Sequence, residues 1–441
     1  MSSQVTINQT SHLLRQGKPK PSELVNDSLN RIEEWEGVVR AWAFVDLGGA
    51  RAAAAQLDDE LSAGKSRGPL HGVPIGVKDI VAVKGMPTRA GSSLTSPDPV
   101  ERDAPAIKRL REAGAIILGK TITTEWACFD PPPTRNPWNL GHTPGGSSSG
   151  SAAAVAVGMC PVAVGSQTGG SIIRPGSYCG VYSCKPTHGA ISLENVIPLS
   201  PEIDHLGAFT RSIGELTPVI LAMIGGDAAE SRANSALQRP PRIGVVEEYF
   251  YDEADPEVVH ITRDAVEKLK FAGAQISTVR MPKSFAGVHS AHRQMLAYRA
   301  SRYHREQFEK HPAQFGPHVS TVIKDGAAVS DEVFQAALAL QKEFQKELVG
   351  TLSDFDALLT PATPASAPAT LESTGDLKFN SPWSFSGLPV VSLPIEIDSH
   401  GMPLAIQLTG REGSDAHILS VAAWCEGVVP FRAVPTGFKS R

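Results

Sequence analysis

Apolar residues in the first quarter of the chain switch between two spacings. Over residues 20–40, Leu24, Val25, Leu29 and Ile32 recur on one helical stripe with glutamates on the other faces, and Ser22 is placed to cap it. "AWAFVD" then predicts a strand, and "GGARAAAAQLDDELSAG" a helix bounded by glycines. "GVPIGVKDI" is apolar enough for a buried strand ending at Lys78 and Asp79. Asp103 caps "APAIKRLREAGA", and "IILGKT" is the next strand. A small-residue helix, "SAAAVAVGM", and another strand, "PVAVG", continue the alternation. The rhythm predicts an α/β fold: a large single domain over residues 1–441, with a central mixed, mostly parallel sheet covered by helices on both faces.

Past Leu206 the alternation loosens. "PRIGVVEEYF" predicts a strand, Asp255 and Pro256 open a helix, and longer helices occupy roughly 284–310 and 330–350. "TPATPASAPAT" lies between the strands "FDALLT" and "PVVSLPIEI", which argues for an ordered loop rather than a tether. No internal repeat is visible. The motif-bearing core spans about 70–212. A weakly separable insertion follows over about 213–350, with 205–240 as the one plausible boundary.

Composition narrows the function classes. A net charge of −5 gives no reason to expect nucleic acid or an anionic membrane as partner. The longest apolar run, about 152–165, is broken by Pro161 and too short to span a bilayer, and "MSSQVTINQTSHLL" lacks a basic-then-apolar leader. A cytoplasmic protein is the expectation. The five cysteines form no CxxC pair and read as buried thiols. His289 and His292, three apart on a helix, read as surface polar groups, and no metal or other cofactor is assigned.

The chemistry concentrates in two glycine–hydroxyl clusters, "HTPGGSSSGSAAAVAVG" at 142–158 and "SQTGGSIIRP" at 166–175. Glycines before Ser171 allow a tight turn that aims successive N–H groups at one point, as an oxyanion requires. An attacking serine needs a base, and a lysine serves if burial suppresses its charge. Lys78 alone reads as a surface-seeking strand end.

Together with "GVPIGVKDI" and "GLPVVSLPI…GMPLAIQLTGR", these clusters resemble the amidase signature family from about residue 20 to beyond 425. The resemblance implies Ser171 as nucleophile, Ser147 as a bridging serine joined to Gly146 by a cis peptide, and Lys78 as base. It implies an oxyanion hole from the backbone N–H groups of Thr168, Gly169, Gly170 and Ser171. The function it implies is hydrolysis of a carboxylic amide through an acyl-enzyme, with a small-molecule amide as substrate and no nucleic acid or membrane partner. A homodimer is compatible with it.

Two departures stand out. Ser166 and Gln167 replace the family's frequent Thr-Asp, so a carboxylate near the relay is expected to be missing. Arg174 falls three residues after Ser171 rather than two. It reads either as a brace for backbone carbonyls or as a clamp for a substrate carboxylate. Trp126, Phe129, Trp138, Trp383 and Phe385, with Gly146, are the remaining candidates for substrate contact.

Rival readings are a glutamine-using amidotransferase subunit, a hydrolase of carbamates, ureas or esters, and a phosphate-binding module. The last lacks a G-x-x-x-x-G-K-[ST] loop.

Overall fold

A computed structural model describes residues 19–225, 237 and 239–435. The amino-terminal stretch and residues 226–236 and 238 of the expected boundary segment lie outside the described residues. Eleven strands form one sheet in the order β1-β3-β2-β4-β6-β5-β10-β11-β9-β7-β8. They are β1 Trp42–Val45, β2 Pro74–Lys78, β3 Ile116–Thr121, β4 Val162–Gln167, β5 Tyr182–Lys185, β6 His205–Thr210, β7 Arg242–Val245, β8 Gln275–Thr278, β9 Ala357–Pro361, β10 Val390–Ile397 and β11 Pro403–Thr409.

The sheet is mixed, as expected, but not mostly parallel. β2 runs parallel to β3 and β4, and β7 to β8 and β9. The other six neighbouring pairs are antiparallel. Crossover helices build the two parallel trios, whereas β10 returns directly into β11 across a short turn, which only an antiparallel pair allows.

β6 lies between β4 and β5 in the middle of the sheet, so the start of the 205–240 stretch is core rather than a domain boundary. The stretch expected as an insertion contributes β7 and β8 to the same sheet.

The helices Pro21–Val39 and Pro105–Glu112 are preceded by Lys20 and Ala104 at the cap position rather than by Ser22 and Asp103, each with proline in its first turn, whereas Pro256–Phe271 follows Asp255 as expected. Asp103 instead accepts the Lys84 N–H at 2.7 Å. A helix at Pro317–Ala327 joins the two longer ones foreseen, Phe285–Lys310 and Asp331–Thr351. The proline-rich 360–370 loop is pinned: Pro368 O accepts from Thr143 N–H and Pro364 O from Asp255 N–H.

The helix Ser149–Ala156 is buried along its whole length. Only small residues permit this; a Cβ on Gly150 would lie 2.2 Å from Ala41 O. Its hydroxyls are spent on backbone carbonyls, with Ser149 donating to Gly145 O at 2.6 Å and Ser151 to Val164 O at 3.0 Å. The glycine–serine run is therefore a packed bed. No described helix is long and apolar enough to cross a membrane.

Candidate active site

Lys78 ends β2, flanked by β3 and β4, and is wholly buried. Its Nζ lies 2.6 Å from Ser147 Oγ and 2.8 Å from Ser166 Oγ. Burial holds the amine well below the ordinary lysine range, with the Asp204 charge opposing weakly in the other direction. The Gly146–Ser147 peptide is cis. Ser171 follows β4 and keeps 9% exposure at the foot of a cleft. Its hydroxyl makes no hydrogen bond to Ser147 among the described residues; the two serine segments meet through Ser148 N–H donating to Ser171 O at 3.4 Å.

Accounting for every backbone donor around Ser171 separates used from unused groups. Gln167 Oε1 accepts the N–H groups of Ile172 and Ile173 at 2.8 and 3.0 Å, and Arg174 N–H goes to Gly170 O at 2.9 Å. The N–H groups of Thr168, Gly169, Gly170 and Ser171 have no acceptor among the described residues. They belong to the loop lining the narrow cleft, with Cys128, Phe129, Leu199, Leu296 and Leu377. Gly170 is required here, since a Cβ would fall 2.7 Å from Asn380 Oδ1. The cleft shares Phe129, Leu296 and Leu377 with a cavity of about 550 Å³ reaching Val322, Arg293 and Asp376.

The expected missing carboxylate is supplied from elsewhere. Asp204, just before β6, accepts Thr168 Oγ1–H at 2.5 Å and the N–H groups of Leu199 and Ser200 at 2.9 Å each. Burial pushes its carboxyl up while those donors pull it down. His289 and His292 are not surface groups: both line the cavity. His292 is buried and lies 2.9 Å through Nε2 from Thr168 O. Burial lowers its pKa to about 4.

Of the candidate substrate contacts, only Phe129 lines the cavity and the cleft as an aromatic wall. Trp126 packs on His304 and Phe315, and Trp383 stacks on Phe250 in the core. Trp138 caps Phe431, and Phe385 packs on Phe344. These large rings fill space between the sheet and its helices. The Arg174 side chain reaches the cleft, but its guanidinium donates to Gly146 O at 2.7 Å, Gly375 O at 2.9 Å and Thr374 Oγ1 at 3.1 Å. It braces backbone rather than standing ready for a carboxylate. Gly146 contributes through that carbonyl.

Sequence reasoning missed Ser166 as a contact of Lys78. Strand alternation carried the signal, because β4 runs in parallel register beside β2. Asp204 comes from a distant segment and left no local trace, and His292 was singled out but read as a surface group.

A buried lysine, hydroxyls on adjacent segments and a loop whose amides have no acceptor among the described residues thus come together on an α/β sheet. The Amidase family profile matches residues 23–419, and the chain belongs to that family. It is 31% identical to a glutamyl-tRNA(Gln) amidotransferase subunit of Halothermothrix orenii, over 95% of this chain and 96% of that protein. The corresponding protein from Roseiflexus castenholzii is 31% identical over 95% and 94%. Among solved structures, one amidase superposes with a TM-score of 0.88 at 33% identity, covering 96% of this chain and 100% of the other. The peptide amidase of Stenotrophomonas maltophilia superposes at 0.85 with 26% identity, covering 98% of each chain.

Proposed function

We propose that this enzyme of the amidase family hydrolyses the C–N bond of carboxylic amides, with Ser171 as nucleophile, Ser147 as proton bridge and Lys78 as base. The observation that carries the reading is the fully buried Lys78 amine 2.6 Å from Ser147 Oγ, beside a loop whose amides lack partners among the described residues. An ordinary lysine, titrating at about 10.4, is charged at neutral pH and accepts no proton. Burial favours the neutral amine, which lies within hydrogen-bond reach of the Ser147 hydroxyl and can accept its proton.

As Ser171 Oγ bonds to the carbonyl carbon, its proton passes to Ser147 Oγ, and the Ser147 proton passes to Lys78 Nζ. A rotation of the Ser171 side chain closes the Ser147–Ser171 link when substrate enters, a tightening common between free and occupied sites. The carbonyl oxygen takes up negative charge against the N–H groups of Gly169, Gly170 and Ser171, each donor being worth about 2.7–4 kcal/mol of barrier. Collapse breaks the C–N bond while the relay runs backwards and protonates the departing amine. Water then attacks the acyl-enzyme by the same route.

The apolar neck of Phe129, Leu296 and Leu377 favours an uncharged, apolar acyl group over an acidic one. The deciding experiment offers aliphatic, aryl, acidic and carbamate substrates to the purified chain and measures released amine. Turnover of uncharged amides by the isolated chain is expected. No turnover in any class, with no labelling of Ser171 by a fluorophosphonate, overturns the reading.

The amidotransferase relatives motivate a second reading, in which the chain releases ammonia from glutamine for a partner enzyme. It predicts glutaminase activity only with partner subunits present.

A further inference from the structure

The loop that would stabilise the oxyanion is held by its carbonyls. Thr168 O accepts from His292 Nε2–H at 2.9 Å, and Gly169 O accepts from Ser384 Oγ–H at 2.8 Å. Among the described residues the one cis peptide is Gly146–Ser147, so the peptides 168–169 and 169–170 are trans. In a planar trans peptide the C=O and the following N–H point in opposite directions. Fixing the Thr168 carbonyl on His292 therefore turns the Gly169 N–H away from His292. Fixing the Gly169 carbonyl on Ser384 likewise turns the Gly170 N–H away from Ser384. These are two of the four amides of residues 168–171 without partners among the described residues. Glycine has no side chain to hold its peptide planes, so an outside contact must do so.

We propose that His292 and the Gln167–Ser384 pair are positioning residues that aim the Gly169 and Gly170 amides at the developing oxyanion. The proposal rests on Ser171 being the nucleophile.

Gln167 matters for the direction of its hydrogen bonds. Its Oε1 is committed to the N–H groups of Ile172 and Ile173, so its Nε2 must face Ser384, to which it donates at 2.9 Å. Ser384 Oγ accepts that bond and is free to donate its own proton to Gly169 O. A carboxylate at position 167 would keep the two backbone bonds but present an acceptor to Ser384. The serine proton would turn toward it, and the Gly169 carbonyl would lose its donor. The amide at this position thus sets the polarity of a chain running from Gln167 through Ser384 to the loop. His292 works the same way from the helix Phe285–Lys310. Thr168 O only accepts, so Nε2 carries the proton. With a pKa of about 4, the ring is neutral across the working range.

The experiment measures the second-order rate of fluorophosphonate labelling at Ser171, which draws on the same oxyanion contacts whatever the natural substrate. It also measures kcat and KM on the best amide from the hydrolysis panel. His292→Leu is expected to slow labelling and kcat on the order of a hundredfold, the effect of losing one such donor, with KM little changed. His292→Gln, which keeps an N–H donor, should recover to within about tenfold of wild type.

Gln167→Glu gives a signature that packing alone would not. Its kcat relative to wild type should be low at neutral pH and rise on acidification, because a protonated carboxyl regains the donor toward Ser384. The titratable groups near position 167 are His205, whose ring lies 3.3 Å from Gln167 O, Asp204 on Thr168, and Lys78 on Ser166. All three are present in both proteins; a charged Glu at 167 would also favour the Lys78 ammonium, which lowers the ratio on acidification and so opposes, rather than mimics, the expected rise. Should His292→Leu fail to fold, His292→Gln and Gln167→Glu carry the test. Variants labelled at the wild-type rate, or a flat Gln167→Glu ratio, overturn the proposal. A wild-type protein that resists labelling altogether overturns the nucleophile assignment instead.

Discussion

Two lysines buried to the same degree sit on neighbouring strands, and their surroundings give them opposite characters. Lys120 on β3 pairs with Asp79 at 2.9 Å and also donates to Pro87 O and Thr88 Oγ1 at 3.0 Å each. Lys78 on β2 meets only the hydroxyls of Ser147 and Ser166 among the described residues. Burial pushes the Asp79 carboxyl up and the Lys120 amine down, and their contact works against both shifts. Lys78 has no touching carboxylate among the described residues, and desolvation goes nearly unopposed. A touching carboxylate thus offsets the effect of burial on a lysine, and its absence leaves that effect to favour the neutral amine. Asp79 is adjacent to Lys78 in sequence, yet side-chain alternation sends it to the face where Lys120 waits.

The sharpest way to break this comparison is to remove each amine while keeping its volume. Lys78→Met should abolish turnover, by at least about 10⁴-fold, and leave the melting temperature unchanged or raised, because it replaces an unpaired buried amine. Lys120→Met should destabilise the fold by about 3–5 kcal/mol, because Asp79 is left buried and uncompensated. Denaturant titration and amide turnover on both variants read the two effects. Similar losses of stability in the pair would show that the lysines are alike.

Next in size is the transfer of one environment to the other. Ser166→Asp places a carboxylate beside Lys78 and favours its ammonium form. The amine is protonated below its pKa, so activity has an acid limb, and raising that pKa moves the limb upward by about 1–3 pH units. Activity at neutral pH falls accordingly, and a pH–rate profile checks it. A smaller displacement in the reverse direction is expected from Asp204→Asn, which removes the one negative charge that supports the Lys78 ammonium. The least change is expected from Arg174→Met in specificity: the ratio of turnover on acidic and neutral amides should stay the same. Unfolding should cost about 1–3 kcal/mol less than in wild type, since backbone carbonyls lose their donors.

The sequence carried β2, β3 and β4 to within a residue or two, because each is a short apolar run between turns. The motif resemblance picked out Lys78, Ser147 and Ser171 as one site, and the structure brings their segments together. β5 and β6 escaped notice because their apolar stretches are short and are bounded by buried polar residues, Lys185 at the end of β5 and His205 and Thr210 at the two ends of β6. The substrate aromatics were misplaced for a related reason: Trp383 and Phe385 sit in a six-residue helix whose every side chain is buried, and residue type alone does not separate a wall from a filling. Contacts such as His292 with Thr168 span more than a hundred residues and become visible only when the chain is folded.

The Arg174 brace has a consequence for anyone reshaping this enzyme. Its guanidinium ties the Gly146 carbonyl, which belongs to the same peptide unit as the Ser147 nitrogen, to Thr374 and to Gly375, the latter lining the cavity. Remodelling there would tug directly on the proton-transfer apparatus. Val322 and Ala297, which line the same cavity, have no such tie to Arg174 and are where tailoring for bulkier compounds should begin.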